Sequence, residues 1–239
     1  MNENFGASGA ANDYSPPPAT HVPDIAQAYR KEADDCNNTG IEHLSHMRFE
    51  KALQSFNQAL DLDPGFVAAH INRARANTQI GDYASAVTDC NNAIKLAPKS
   101  VAAHSYRARA KYRQQQYDAA LVDCNFALNI DPKYAMAYFH RAHIYIYNNK
   151  VDQGIKDLNR ALKLEPNSAI YLCSRGWAKY RKKDFRGTIE DCTRAINSDP
   201  NWVYSYKWRA AAHRALGNKT KAKADEQKMN AVYQHLLNS

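Results

Sequence analysis

The chain has 239 residues, is 44% hydrophobic and 23% charged, and carries a formal net charge of +8; these values suit a folded, soluble protein and exclude a disordered one. No run approaches the ~20 apolar residues of a membrane helix, and residues 1–13 show neither the basic nor the apolar region of a secretion signal. Ten acidic and four basic side chains place −6 on residues 1–64 and leave +14 on the remainder, a basic body that draws acidic partners whatever its fold.

In chain order, residues 1–22 are rich in Gly, Ala, Ser, Asn and Pro, too poor in apolar groups to offset the entropy of ordering, and are expected to form a disordered tail. Residues 23–239 then read as one array. Pro23-Asp24 opens an unusually long helix running towards His46, since proline suits a first helical turn. Beyond it, Pro64, Pro98, Pro132, Pro166 and Pro200 recur every 34 residues, each closing an apolar-periodic segment: LDLDP, IKLAP, LNIDP, LKLEP and INSDP. A helix usually stops before such a proline, so each marks the end of a structural unit. Turn signals such as Gly81-Asp82 split each unit into two helices, with Asp82 placed to cap the second. The sixth unit lacks the closing proline and carries Lys223 and Glu226 where earlier units are apolar, the polar outer face that a terminal capping helix requires.

Two registers hold small residues: Gly40, Ala74, Ala108, Ala142, Gly176 and Ala210, then Ala52, Ala86, Ala120, Gly154, Thr188 and Ala222. Two helices must approach closely there. The five cysteines form no CxxC pair, and Cys90, Cys124 and Cys192 follow the 34-residue period. They are expected to be reduced, buried apolar groups in a cytoplasmic protein rather than metal ligands or disulfides.

The period, the small residues and segments such as GDYASAVTDCNNAIKLAP resemble the tetratricopeptide repeat (TPR) family over roughly residues 24–237. The resemblance implies an all-α, right-handed superhelical solenoid of about six tandem helix-turn-helix repeats. First helices would line a concave groove and second helices the outer face. It also implies a non-enzymatic scaffold or adaptor for protein partners. The position where the family carries a bulky residue holds Cys36, His70, His104, Tyr138, Leu172 and Tyr206, several of only medium size.

Arg73, Arg107, Arg141, Arg175 and Arg209 are each followed sixteen residues later by Asp89, Asp123, Asp157, Asp191 and Asp225. For the second unit the midpoint is Gly81, so both side chains stand at one level of an antiparallel hairpin, ~12 Å from the turn at 1.5 Å per residue. A link from each Asp to the next unit's Arg is the alternative, but it leaves Asp225 without a partner. The within-hairpin pair, a structural lock on register, is the expectation.

Helical spacing assigns a second stripe to the groove: Asn72, Arg75 and Gln79; Tyr106, Arg109, Tyr112 and Arg113; Phe139, His140, His143 and Tyr147; Trp177, Tyr180 and Arg181; Lys207, Trp208 and Arg214. The first unit offers Asp34, Asn37, Asn38, Ile41 and Leu44 instead. Aromatic and arginine side chains are the usual anchors of interfaces, so the expected ligand is an extended peptide with acidic and apolar side chains. Single-stranded RNA is the rival ligand, because the same groups stack on bases and bind phosphates. A third possibility is that the tail, with its acidic and aromatic residues, docks in its own groove or a neighbour's.

Some TPR proteins hold chaperone C-termini in a clamp of lysine, asparagine and arginine; of those positions only Asn72 matches, the others being Asn37, Ile41, Ala102 and Tyr106, so that clamp is not expected. His140 with His143, and His43 with His46, share helix faces but lack a third metal ligand. No nucleophile stands with a base and an orienting partner. Catalytic, cofactor and metal sites are therefore not expected, nor is a membrane partner.

Overall fold

The computed structural model describes residues 22–238. Residues 1–21, where the expected tail and its docking fall, lie outside the described residues. Helix α1 begins at Val22. The described residues form twelve α-helices paired as six antiparallel hairpins: α1 Val22–Ser45 with α2 Phe49–Leu62, α3 Val67–Ile80 with α4 Tyr83–Leu96, α5 Val101–Arg113 with α6 Tyr117–Ile130, α7 Ala135–Tyr147 with α8 Val151–Leu164, α9 Ala169–Arg181 with α10 Phe185–Ser198, and α11 Val203–Ala215 with α12 Lys219–Asn238.

The 34-residue period is visible in backbone geometry. Residues Asp63, Asp131 and Asp199 leave the helix at φ −135°, −131° and −141°, as the following prolines demand. Each carboxylate then accepts a hydrogen bond from the backbone N–H two residues on, at 2.9, 2.8 and 2.9 Å, which tightens the turn into the next unit. Inside the hairpins, Met47, Gly81, Gln115, Asn149, Lys183 and Gly217 all adopt positive φ, between 57° and 90°, at one register spaced by 34. In each, the next N–H reaches back to the carbonyl five residues before it, Asp82 to Asn77 at 2.9 Å for example, a Schellman closure. Only two of the six are glycine. Asp82 caps α4 through the Ser85 N–H at 3.0 Å.

Every second helix packs on its own first helix and, except for the last, on the first helix of the next unit. First helices also touch one another directly, α1 with α3, α3 with α5, α5 with α7 and α9 with α11, whereas second helices do not pack on each other. Close approach on the first-helix side bends the array towards it, so first helices line the concave face. Between α7 and α9 the backbones stand further apart than at the other junctions, and rings fill the gap. Phe139 and Tyr171 lie 5.4 Å apart, and both are buried in the largest core cluster.

The small registers have steric causes. A Cβ on Gly154 would lie 2.5 Å from Ile146 Cγ1 and 2.9 Å from the Ala142 carbonyl oxygen, and one on Gly40 would lie 2.4 Å from the Phe56 ring. Cys90, Cys124 and Cys192 are fully buried free thiols; burial pushes the Cys90 thiol up to about 12, so it packs as an inert apolar group.

Candidate functional site

The repeated arginines and aspartates meet within their own hairpins. Arg141 Nε and Nη2 donate to Asp157 at 2.8 and 2.9 Å, and the other four pairs have the same form, Nη2 reaching the aspartate at 2.6 Å in each. The aspartates are buried. The third edge of each guanidinium turns to the preceding unit: Arg73, Arg107, Arg141 and Arg175 donate through Nη1 to Asn57, Asn91, Asn125 and Asn159 at 2.7–2.8 Å, and Arg209 to Thr193 at 3.1 Å. One planar fork thus ties three helices, a use for which lysine has the wrong geometry.

Around the carboxylates the units differ. Asp89 also receives His70 at 3.3 Å and Asn77 at 3.2 Å, Asp123 receives His104 at 3.4 Å and Lys111 at 2.8 Å, and Asp191 receives Lys179 at 2.9 Å. Burial alone would raise the Asp89 and Asp123 carboxyls, but His70 with Arg73 at the first, and Arg107 with Lys111 at the second, hold both below the usual carboxylate range. The imidazoles of His70 and His104 fill the bulky position and also bond the Pro64 and Pro98 carbonyls at 3.1 Å.

The groove stripe divides into walls and floor. Asn72, Phe139 and His140 are buried, which corrects their assignment to the open groove. Asn72 donates to Asn37 in the α1–α3 seam at 3.0 Å, so Asn37 is likewise buried. Phe139 packs on Tyr171. His140 Nδ1 donates to the Ser105 carbonyl at 2.9 Å, leaving Nε2 buried without a partner. All three sit on the sides of first helices, where neighbouring helices approach. Apart from Tyr106, whose ring meets His140 at 5.6 Å, the remaining rings form a continuous ladder along the concave face. Tyr112 meets Tyr147 at 5.3 Å, Tyr147 meets Trp177 at 5.2 Å, Trp177 meets Trp208 at 6.2 Å, and Tyr180 meets Trp208 at 5.6 Å. His143 lies against Trp177 and bonds Ser174 Oγ at 3.2 Å.

The groove arginines have only neutral partners among the described residues. Arg75 donates to Asn72 at 3.0 Å and lies 5.5 Å over Tyr106. Arg109 reaches Gln79 at 3.3 Å. Arg113 bonds the Tyr83 hydroxyl and lies over its ring. Arg181 donates to the Ile146 carbonyl at 3.2 Å. Arg214, at the sixth unit, is the exception and pairs with Glu226, while Lys207 lies over Trp208. Burial pushes the Arg109 guanidinium below its ordinary range, with Arg113 and Arg75 adding repulsion. Burial, then the charge of Arg109, pushes His143 down to about 4 and His140 well down. Neutral imidazoles thus stand beside an arginine that lacks an anion.

Among the described residues no three His, Cys, Asp or Glu side chains gather as metal ligands, and no helix is long and apolar enough to cross a membrane. What sequence reasoning missed is the asparagine register at 57, 91, 125 and 159, although its period was there to be read.

Models of the tetratricopeptide repeat match residues 38–100, 79–135 and 135–168. The human small glutamine-rich tetratricopeptide repeat-containing protein beta is 29% identical over 90 residues, 38% of this chain; the chain spans only 28% of that protein's length. Among solved structures, a thermophilic TPR protein of Thermus thermophilus, TTC0263, aligns with a TM-score of 0.70 at 19% identity, covering 75% of this chain and 98% of that one. The APC/C hetero-tetramer Cut9-Hcn1 aligns with a TM-score of 0.74 at 14% identity, over 88% of this chain and 42% of that one. At these identities the two structures establish a shared fold.

Proposed function

The chain belongs to the tetratricopeptide repeat family, whose members generally mediate protein–protein interaction, and from that premise we propose that it is a non-enzymatic scaffold holding an extended, acidic and apolar segment of a partner protein on its concave face. The observation that carries this reading is the pairing of a continuous ring ladder with arginines that lack carboxylate partners. Rings and guanidiniums are rigid, partly desolvated groups of the kind that dominate interface energies. Peptides that lie extended across several units can contact many of these groups at once. The outer face offers less: α6 exposes Val122 and Phe126, a small apolar patch.

Capture from a lysate of the source cells tests the reading with three baits. Wild type should retain a set of proteins that Arg109→Glu/Tyr147→Ala loses and that an outer-face control, Val122→Glu, keeps. Loss in the control alone would move the interface to the convex face. RNA is separated by salt, since affinity for a strand held by several phosphates falls by orders of magnitude between about 50 and 200 mM salt.

A further inference from the structure

The five hairpin arginines and Arg214 each pair with a carboxylate. Arg109 does not, although it is half-buried, flanked by Arg75 and Arg113, and bonded only to a glutamine amide oxygen. A guanidinium presents five N–H donors in a fork that matches a carboxylate, and most of this one's are unused. Taking a cation out of water without a counter-charge is unfavourable, and two cationic neighbours increase the cost.

We propose that Arg109 is the reading head of a subsite for a side-chain carboxylate, an aspartate or glutamate within the bound segment, while apolar residues of that segment lie on the Tyr147–Trp177–Trp208 rings. This rests on the peptide reading above and adds to it a position for the acidic group and an order along the ligand. The flanking arginines are each already oriented by one neutral bond and one tyrosine ring, so they supply field rather than a second fork. The order follows from the fold. The arginines lie on α3 and α5 and the rings on α7, α9 and α11, so acidic and apolar residues must be adjacent stretches of one extended strand. Such a strand sets alternate side chains about 6.5–7 Å apart, near the 5.2 and 6.2 Å steps of the ladder. Rings already in mutual contact leave no slot for a base to enter, which favours apolar side chains over stacked nucleotides. Because Arg109 stands on α5, the third of the six first helices, the carboxylate is assigned to a side chain, and a free C-terminus is not required.

The test is selection from a phage-displayed random peptide library that has no free C-terminus, with wild-type full chain, Arg109→Gln and Arg109→Lys as baits. Wild type should enrich aspartate or glutamate next to aromatic or branched residues. Arg109→Gln should keep the apolar preference and lose the acidic one. A peptide from the wild-type pool should bind Arg109→Gln about tenfold more weakly, and its acid-to-amide version should bind wild type equally weakly with no further loss in the variant, the signature of a coupled charge pair. Apolar enrichment without acidic preference, or acidic preference that survives in Arg109→Gln, overturns the subsite and leaves the peptide reading standing. No enrichment by wild type overturns both. Tighter binding of an oligouridine probe than of any selected peptide, lost in Arg109→Gln, assigns the arginine to phosphate instead. Thermal melts check folding, and Arg75→Gln/Arg113→Gln, which removes the flanking field, is the second variant should Arg109→Gln unfold.

Discussion

Removing Arg141 is the sharpest probe of what holds the array in register. Asp157 differs from its counterparts in units two, three and five because its hydrogen bonds come from Arg141 alone, whereas Asp123 keeps Lys111 and His104 if Arg107 is lost. Its side chain is only 7% exposed. Arg141→Ala deletes two charge-assisted bonds, strands a buried carboxylate and releases Asn125; uncompensated buried charges cost roughly 3–5 kcal/mol. Arg107→Ala, with two donors remaining, should cost about 1–3 kcal/mol. The double change Arg141→Met/Asp157→Leu, which replaces the ion pair by apolar volume, should recover most of the loss. Urea unfolding followed by far-ultraviolet circular dichroism measures all three. Because a solenoid can split into separately unfolding halves when a central junction weakens, a broadened transition for Arg141→Ala is also expected. A loss below about 1 kcal/mol for Arg141→Ala, or a larger loss for Arg107→Ala, would show that Asp157 is not a buried charge dependent on Arg141, since net worth near zero is typical of exposed ion pairs.

Other outcomes follow from the same geometry. Lys183 holds φ at 63°, so Lys183→Gly should leave stability unchanged or raise it by up to about 1 kcal/mol by calorimetry, relief of strain opposing added unfolded-state entropy; a loss above that would show that the lysine side chain matters more than its backbone. Gly154→Ala should lower stability by about 1–3 kcal/mol despite alanine's better helix propensity, because the new methyl meets a backbone oxygen and Ile146; a stabilised variant would contradict the close approach. His143 stays neutral in the fold down to about 4, against an ordinary 6.5, so between these values the unfolded chain binds more protons and stability falls as pH falls. The share of this histidine is about 1–3 kcal/mol, and His143→Phe should flatten part of the slope between about pH 7 and 4.5 in urea titrations; an identical slope would show that the imidazole is solvated.

The architecture was readable because translation by 34 residues turns weak local signals into strong ones. One Asp-Pro is an ordinary turn, but five prolines in register specify where helices end, and the Arg/Asp spacing centred on Gly81 requires only that a hairpin be antiparallel. Arg73 to Asp89 follows from that symmetry. The asparagines at 57, 91, 125 and 159 share the period yet pass unnoticed, since asparagine on a helix surface usually faces solvent and its partner lies in the next unit. Left-handed turn residues such as Gln115 and Lys183 are illegible singly, because nothing in either side chain favours positive φ; only their alignment with Gly81 and Gly217 reveals them. The groove was blurred by rotation. One residue is 100° of helix, and Asn72, Phe139 and His140 sit just far enough round the first helices to enter the seam rather than the open face. Arg109 and Tyr147, nearer the centre of the stripe, stay accessible.

The claim that partners lie along the first helices is tested most directly by placing a photoreactive phenylalanine at Tyr147 on the concave face and, separately, at Val122 on the outer face, both well exposed, and irradiating each protein in a lysate of the source cells. Discrete protein adducts are expected from position 147, suppressed by an excess of unlabelled wild type, and none from position 122. Adducts from 122 with none from 147 would place the partners on the outer face instead.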